Sequence, residues 1–252
     1  MLVRPVTATP VGARPLSARP VQADPSAGDV TAIVGALGGN GIVAAFYDVR
    51  AGLTIVGGVV SQWNDARGAT GFGPSLVQAS ATARPTFDAS ALTITFDGTD
   101  DDLMSATTSA FDLTSAKSLV VVGAFPQTAA TAWGASLASA ANLARFLAVG
   151  NTSGAGGVIS SILGATADTS SVLISATRRV MVASNDGSTA LNIDVPSATR
   201  ATVSATGQAS GNNALTLGNS WDGNGHPSPA VMRAVLVLTR VVTAADLSTL
   251  LA

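Results

Sequence analysis

Short apolar segments bounded by turn residues dominate the chain after residue 41. In LTITF, the residues Leu92, Ile94 and Phe96 alternate with threonines, which is the pattern of a strand with one buried face. Because no helical segments alternate with these strands, the pattern predicts an antiparallel two-sheet sandwich or jelly roll. The predicted strands are IVAAFYDV, VVSQW, LTITF, SLVVVGAF, RFLAVG, GVISSIL, RRVMVAS, ALNIDV, ALTLG and VMRAVLVLTRV.

Turn and helix signals organise the remaining sequence. SNDG at 184–187 stands between two strands and predicts a hairpin. Residues 26–40 predict a short connecting helix that covers the domain or binds a neighbouring copy, since apolar residues recur at helical spacing: Val30, Ile33, Val34 and Leu37. Thr243 and Asp246 have the spacing of a capping box, which predicts a second short helix at the end of the chain.

Residues 1–25 have a different pattern, with a proline at every fifth position and arginines beside several of them. Prolines at this density exclude helix and favour extended backbone, so the segment predicts an arm without its own core. It is either a linker or an anchor that lies along a partner, and the interleaved Val and Leu favour the anchor. The predicted anchoring residues are Arg4, Pro5, Pro10, Arg14, Pro15, Arg19 and Pro20.

The amino-acid composition excludes several kinds of site and function. All fifteen acidic residues are Asp, Lys117 is the only lysine, and there is no cysteine, so disulfides and thiolate sites are excluded. The net charge of −2 gives no electrostatic case for binding nucleic acid, and no apolar run is long enough to span a membrane. The first residues do not have the continuous apolar stretch of a secretory signal, so we expect assembly in the bacterial cytoplasm. The alternative is a leader that has already been removed.

Three stretches together resemble the concanavalin A-like jelly roll of the laminin-G-like type, in its bacterial and phage versions. They are AAFYDVRAGLTIVGGVVSQWNDARG at 44–68, RPTFDASALTITFDGTDDDLM at 84–104 and NALTLGNSWDGNGHPSPAVMRAVLVLTRVVTAADLSTLL at 213–251. The resemblance implies that residues 41–252 form a mainly β two-sheet antiparallel sandwich, with Trp63 and Phe87 in its core. It also implies recognition of glycans or proteins by loops.

Glycan binding needs an aromatic face and polar groups that fix hydroxyls. The best candidates share one loop, Trp221, Asp222, Asn224 and His226, with Trp133 as a further candidate. The alternative for Trp221 is that it caps the edge of the sandwich. His226 is the only histidine, and as an isolated loop residue it has no partner for a zinc site.

The resemblance also implies calcium as a candidate ion, because laminin-G-like domains often hold it through oxygen ligands. The candidate ligands are Asp65, Asp100, Asp222 and Asn224. The alternative is that these residues make Asx-turns.

We expect no catalysis, because the glucanases of this fold use Glu and the chain contains none. The expected function is that of a virion structural protein: a head spike, fibre or decoration subunit of a tailed phage or gene transfer agent. The arm would hold a capsid or fibre-base protein, and the exposed jelly roll would bind host surface polysaccharide as a homo-oligomer. The alternative is a bacterial adhesin or carbohydrate-binding module at the cell surface.

Overall fold

The structure is a computed structural model that describes residues 27–68, 72–125, 132–138, 147–151, 158–163, 166–173, 179–187, 190–194, 201–204, 212–219 and 227–246. The predicted arm at residues 1–25 lies outside the described residues. No helix in the described ranges has the length and apolarity needed to cross a membrane.

The described secondary structure comprises one α-helix, two 3₁₀ helices, a helical turn at residues 244–246, and seventeen strands. The 3₁₀ helices are Ala81–Ala83 and Ser109–Phe111. Helix α1 spans Ala27–Ala36. The first nine strands are β1 (Val43–Asp48), β2 (Leu53–Val56), β3 (Val59–Trp63), β4 (Leu76–Val77), β5 (Thr86–Asp88), β6 (Thr93–Asp97), β7 (Leu103–Ser105), β8 (Lys117–Ala124) and β9 (Ala132–Ala138). The others are β10 (Leu147–Asn151), β11 (Val158–Leu163), β12 (Thr166–Leu173), β13 (Arg179–Asn185), β14 (Ala190–Asp194), β15 (Ala201–Ser204), β16 (Ala214–Leu217) and β17 (Pro229–Leu238).

The strands pair antiparallel and form two layers. Sheet one runs β12-β11-β10-β9-β16-β7-β4-β3-β2. Sheet two runs β15-β14-β13-β8-β17, and the second edge of β17 is shared by β6 and β1. The short β5 connects the layers, because it pairs with both β3 and β6. This arrangement confirms the predicted mainly β sandwich.

The main core lies between the two sheets. Trp63, Leu103 and Leu217 enter it from sheet one, and Tyr47 and Val235 enter it from sheet two. Trp63 is fully buried, and its indole N–H donates to the Asp48 carbonyl over 3.1 Å. Phe87 is partly buried and packs against the same core. Both aromatic residues therefore lie on the interior side, as predicted.

Helix α1 covers the other face of sheet two. Val34 and Leu37, one helical turn apart, are buried against Phe46, Val120 and Leu236, among others. The helix stops at two glycines with positive φ, a backbone region that glycine enters without strain. Of the two roles expected for the helix, the structure shows that it covers its own domain.

The C-terminal capping box is present. The Thr243 N–H donates to the Asp246 carboxylate over 2.6 Å, and the Asp246 N–H donates to the Thr243 hydroxyl over 3.3 Å. Arg240 also binds this carboxylate and donates to the Leu37 carbonyl over 3.1 Å. The cap therefore fixes the chain after β17 against the end of α1. Hydrogen bonds from Arg240 hold the pKa of Asp246 at about 2.

An Asp-x-Arg motif occurs twice with the same local geometry. Arg50 donates its backbone N–H and two guanidinium bonds to Asp48, and Arg67 does the same to Asp65. The two copies differ in exposure, because the Arg50 side chain is 24% exposed and that of Arg67 is 5% exposed. Arg67 also donates to the Val43 carbonyl and lies 4.0 Å from the centre of the Phe72 ring.

We expect Arg67→Met to lower the free energy of unfolding by about 3–5 kcal/mol, because it leaves the Asp65 carboxylate buried without its cation. Arg50→Met is the matched control. The Asp48 side chain is as buried as that of Asp65, at 4% exposed, but the Arg50 side chain is 24% exposed. Water can therefore enter the space that Arg50 leaves and solvate the carboxylate, so the loss should be smaller, about 1–2 kcal/mol. Urea unfolding of both variants measures the difference. Equal losses would show that burial of the pair at Arg67 is not what sets its contribution.

Candidate functional site

The residues predicted to bind glycan on the 219–228 connection, Trp221, Asp222, Asn224 and His226, lie outside the described residues. The base of this connection is described. The Ser228 N–H donates to the Gly218 carbonyl over 2.8 Å, and both Ser228 and Asn219 are buried. The two ends of the connection between β16 and β17 are therefore closed by a hydrogen bond.

An acidic turn, residues 97–102, lies beside this base. Gly218 has a φ of +79°, and a Cβ placed there would come within 2.7 Å of the Asp101 carbonyl oxygen. A Cβ on Gly98 would come within 2.5 Å of Pro229. The proximity follows from topology, because β6 pairs with β17 and β7 pairs with β16. The acidic turn therefore lies beside the described base of the β16–β17 connection.

The acidic turn brings three carboxylates together. One oxygen from each of Asp97, Asp100 and Asp101 lies within 4.8 Å of the others. Asp97 accepts from the Thr99 N–H over 2.7 Å, and Asp101 accepts from the Asp97 N–H over 2.9 Å. The first bond is that of an Asx-turn, and the second joins Asp101 to the start of the turn. Backbone N–H groups therefore hold these two carboxylates in place.

Burial and neighbouring charge alter protonation in this turn. Burial raises the pKa of Asp101, and the nearby Asp97 and Asp100 charges raise it further against one backbone hydrogen bond. Burial also raises the pKa of Asp102 to about 6, against the lowering effect of its hydrogen bond from Gln78. The turn therefore holds its negative charges at a free-energy cost.

The chemistry of the acidic turn fits a hard cation, because its grouped donors are all carboxylate oxygens. Asp100 was among the predicted calcium ligands, whereas Asp97 and Asp101 were missed. Their D-x-x-D-D spacing is the sequence signal that groups them. The role of Asp100 as a ligand stays a prediction.

Asp65, another predicted calcium ligand, lies elsewhere in a closed set of hydrogen bonds. Its carboxylate accepts from Arg67 and from the Phe46 and Gly73 N–H groups at 3.0 and 3.1 Å. Both oxygens are used within the protein, since the second accepts from the Arg67 N–H and Nε. A cation at Asp65 would have to displace these donors.

Trp133, the remaining glycan candidate, lies on the face of sheet one that points away from the main core. It is 7% exposed and packs against Ala138 and Ala148. The alternation of side chains between the two faces of the sheet is interrupted at Gly134, where a Cβ would overlap the Phe125 ring. Trp133 therefore belongs to a small apolar cluster on the outer face and not to a loop.

One row of side chains crosses this outer face. Directly paired residues on neighbouring strands share a face, and the pairing joins Val77, Met104, Thr216, Ser136 and Ala148 in that order. We call these five residues the outer row. Its β4 and β7 end is exposed, at 48% for Val77 and 38% for Met104, whereas the other three residues are buried.

The buried part of the outer row contains two hydroxyls with unmet hydrogen-bonding capacity. Thr216 Oγ1 and Ser136 Oγ are buried and have no hydrogen-bond partner. A buried hydroxyl without a partner costs about 1–3 kcal/mol. Two such groups side by side, next to exposed apolar residues, are the feature of this face that the packing of the protein does not account for.

Comparison with known proteins finds solved structures with a similar fold and no matching family. Neither protein-family profiles nor curated sequences match the chain. Trypanosoma rangeli sialidase in complex with sialic acid matches with a TM-score of 0.56 and 13% identity over 83% of this chain and 32% of that chain. A GH54 α-L-arabinofuranosidase soaked with a cyclic sulfate inhibitor matches with a TM-score of 0.55 and 13% identity over 76% of this chain and 50% of that one.

A third match is the CBM40 module of Ruminococcus gnavus IT-sialidase bound to α2,3-sialyllactose, with a TM-score of 0.44. It has 13% identity over 55% of this chain and 83% of that chain. The chain thus corresponds to about a third of the length of the sialidase and half that of the arabinofuranosidase. At these identities the likeness is one of fold: a β-sandwich.

These neighbours correct the prediction that the chain is not an enzyme. That prediction excluded glycoside hydrolysis because the chain lacks Glu, yet a sialidase and an arabinofuranosidase have a similar fold. Asp supplies the same carboxyl chemistry as Glu in glycoside hydrolysis, and the acidic turn groups three of them. The absence of Glu is therefore not a reason to exclude hydrolysis.

We expect Asp102→Asn to stabilise the protein above pH 6. The pKa of Asp102 rises from 3.8 to about 6 on folding, so the folded state binds more protons and this residue's contribution to stability falls as pH rises through that window. Removing the charge should raise the free energy of unfolding by about 1 kcal/mol, or Tm by about 2–4 °C, at pH 7.5.

At pH 4 the same substitution should change Tm little, which thermal unfolding at both pH values measures. Asp88→Asn is the control, because hydrogen bonds from Ser90 and Ala91 lower the pKa of this exposed carboxyl. It should give no gain at pH 7.5. A gain from Asp102→Asn that is the same at pH 4 and 7.5 would contradict the charge-based explanation.

Proposed function

We propose that this chain is a glycan-binding protein whose binding surface is the outer face of sheet one. The observation that carries the proposal is the outer row, in which exposed apolar Val77 and Met104 adjoin the unpartnered hydroxyls of Thr216 and Ser136. A sugar ring presents an apolar C–H face and a rim of hydroxyls, so it needs both kinds of group.

The order of the residues along the outer row also suits a sugar. Met104 pairs directly with Thr216, so a ring packed on Met104 lies beside Thr216. The Thr216 and Ser136 hydroxyls are buried in the free chain, so binding must uncover them before each gains the hydrogen-bond partner that it lacks. The sialidase and arabinofuranosidase with similar folds support glycans as the ligand class.

Within this function, we favour a virion structural subunit that binds host surface polysaccharide and is held on the particle by residues 1–25. The position of α1 supports this division of roles. The helix lies on the outer face of sheet two and the outer row on the outer face of sheet one. The arm precedes α1, so it joins the sandwich on the face opposite the proposed binding surface.

The alternative is a cell-surface adhesin or carbohydrate-binding module, for which the outer row would serve equally well. The five evenly spaced prolines and three Arg-Pro pairs of residues 1–25 favour the particle-bound subunit, because an extended basic segment with apolar residues suits a binding groove on another protein. Its location on the exposed particle surface is part of the same proposal.

We expect Thr216→Val to stabilise the free protein and weaken glycan binding. The substitution removes a buried unpartnered hydroxyl, so the free energy of unfolding should rise by about 1 kcal/mol. Loss of one hydrogen bond to the sugar should weaken affinity about threefold to tenfold. Thermal unfolding and an array of bacterial polysaccharides with sialyl and arabinofuranosyl oligosaccharides measure the two effects.

Thr86→Val is the control, because Thr86 is an exposed strand residue whose hydroxyl donates to the Thr95 carbonyl over 3.4 Å. It should neither stabilise the protein nor change binding. A Thr216→Val protein that is more stable and binds the array unchanged would remove the outer row from the binding surface. A wild-type chain that binds no glycan on the array would count against the function itself.

Deletion of residues 2–24 should leave a folded domain that no longer joins virus particles. The physical reason is that a proline at every fifth position disfavours the helices and inner strands from which a core is built. Co-purification of the truncated and full-length chains with particles measures incorporation, and glycan binding by the truncated chain reports its fold. Undiminished incorporation would defeat the anchoring role.

A further inference from the structure

Strand β2 forms an open edge of sheet one in the part of the chain that the structure describes. It pairs with β3 and with no other described strand. Two of its four residues are large, apolar and exposed, at 41% for Ile55 and 55% for Val56. Since neighbouring strand residues lie on opposite faces, the edge is apolar on both sides.

The pairing with β3 determines which backbone groups face outward from this edge. Val56 pairs with Val59 around a two-residue turn, and Ile55 pairs with Val60. The Val60 N–H points away from β2, because it donates to the Pro85 carbonyl over 2.8 Å. Ile55 is therefore in a non-hydrogen-bonded pair, and its N–H and C=O point to the open edge.

Leu53 presents its backbone in the same way. Leu53 pairs with Trp63. Gly52 and Asn64, which come next along the two strands, are hydrogen-bonded, because the Asn64 N–H donates to the Gly52 carbonyl over 2.9 Å. Alternation along the ladder then turns the Leu53 N–H and C=O outward. Leu53 and Ile55, on either side of Thr54, thus offer two donors and two acceptors.

The segment lacks two of the usual protections of an open edge, although β2 is only four residues long and its ladder with β3 shifts register between Thr54 and Ile55. Proteins commonly defend open edges with charges or proline, and residues 53–60, LTIVGGVV, contain neither. The lack of charge in residues 53–60 also favours a contact between identical copies. In a two-fold contact every charge near the axis would meet its own copy, so a segment that pairs with itself is best left uncharged.

We propose that β2 pairs antiparallel with β2 of a second copy of this chain about a two-fold axis at Thr54. Leu53 then bonds to Ile55 of the partner subunit, and Ile55 bonds to Leu53 of the partner subunit. The two threonines at the axis form a non-hydrogen-bonded pair. Sheet one continues through both copies, and Ile55 and Val56 become buried. This contact is independent of the glycan proposal.

The test uses the absence of cysteine from the chain. Residues in a non-hydrogen-bonded antiparallel pair have Cα atoms about 4.5 Å apart, within the range that a disulfide spans. Full-length Thr54→Cys should therefore form a covalent dimer under mild oxidation, seen on a non-reducing gel. Val77→Cys is the matched control, because Val77 is similarly exposed on the same sheet but away from the edge, and it should stay monomeric.

Sedimentation velocity gives the non-covalent measurement. Wild type should show a concentration-dependent dimer, and Ile55→Pro should weaken it at least about tenfold, because proline removes the outward donor and leaves the β2–β3 ladder intact. Val77→Lys should leave the dimer unchanged. A wild type that is monomeric at every concentration, or equal cross-linking of Thr54→Cys and Val77→Cys, would overturn the proposal.

Discussion

The fold depends on the burial of β17 on all sides. Its edges are filled by β8 on one side and by β6 and β1 on the other, so it joins early and late parts of the chain. One of its faces supplies Met232 and Val235 to the main core, and the other supplies Leu236 to the layer beneath α1. A strand with two apolar faces needs a cover on each, so the helix is an obligatory part of the sandwich.

The outer faces of the two sheets differ in how they are covered. Sheet two has an apolar outer face, including Val120 and Val182, and α1 shields it. The outer face of sheet one is exposed and apolar at Val77 and Met104, and it is buried and polar at Thr216 and Ser136. A hydroxyl without a partner is poor core material. The packing of the protein therefore does not explain why this face carries them.

Much of this architecture could be predicted from local sequence signals. Alternation in LTITF, the helical spacing of Val34 and Leu37, and the Thr243 capping box each describe residues a few positions apart, and the structure confirms them. The short β4 and β7 were not predicted, because two or three residues do not establish a period. Their place in the sheet depends on partners far away in the chain.

The candidate sites were less predictable for the same reason. Trp133 was a glycan candidate with no predicted position. It lies in a strand on the outer face, because the alternation of side chains between the two faces is interrupted at Gly134. The outer row joins residues from five strands, and no spacing along the sequence marks them as neighbours. The acidic turn is local, so D-x-x-D-D could have indicated it.

The pairing of β1 with β17 also decides how the molecule responds to mechanical pulling. β1 follows α1 in the chain and lies antiparallel to β17 from Val43 to Asp48. A pull along the axis of β1 would load the backbone bonds of this ladder together in shear, and they would not open one after another. The sandwich is therefore connected to its N-terminal segment through a geometry that resists extension.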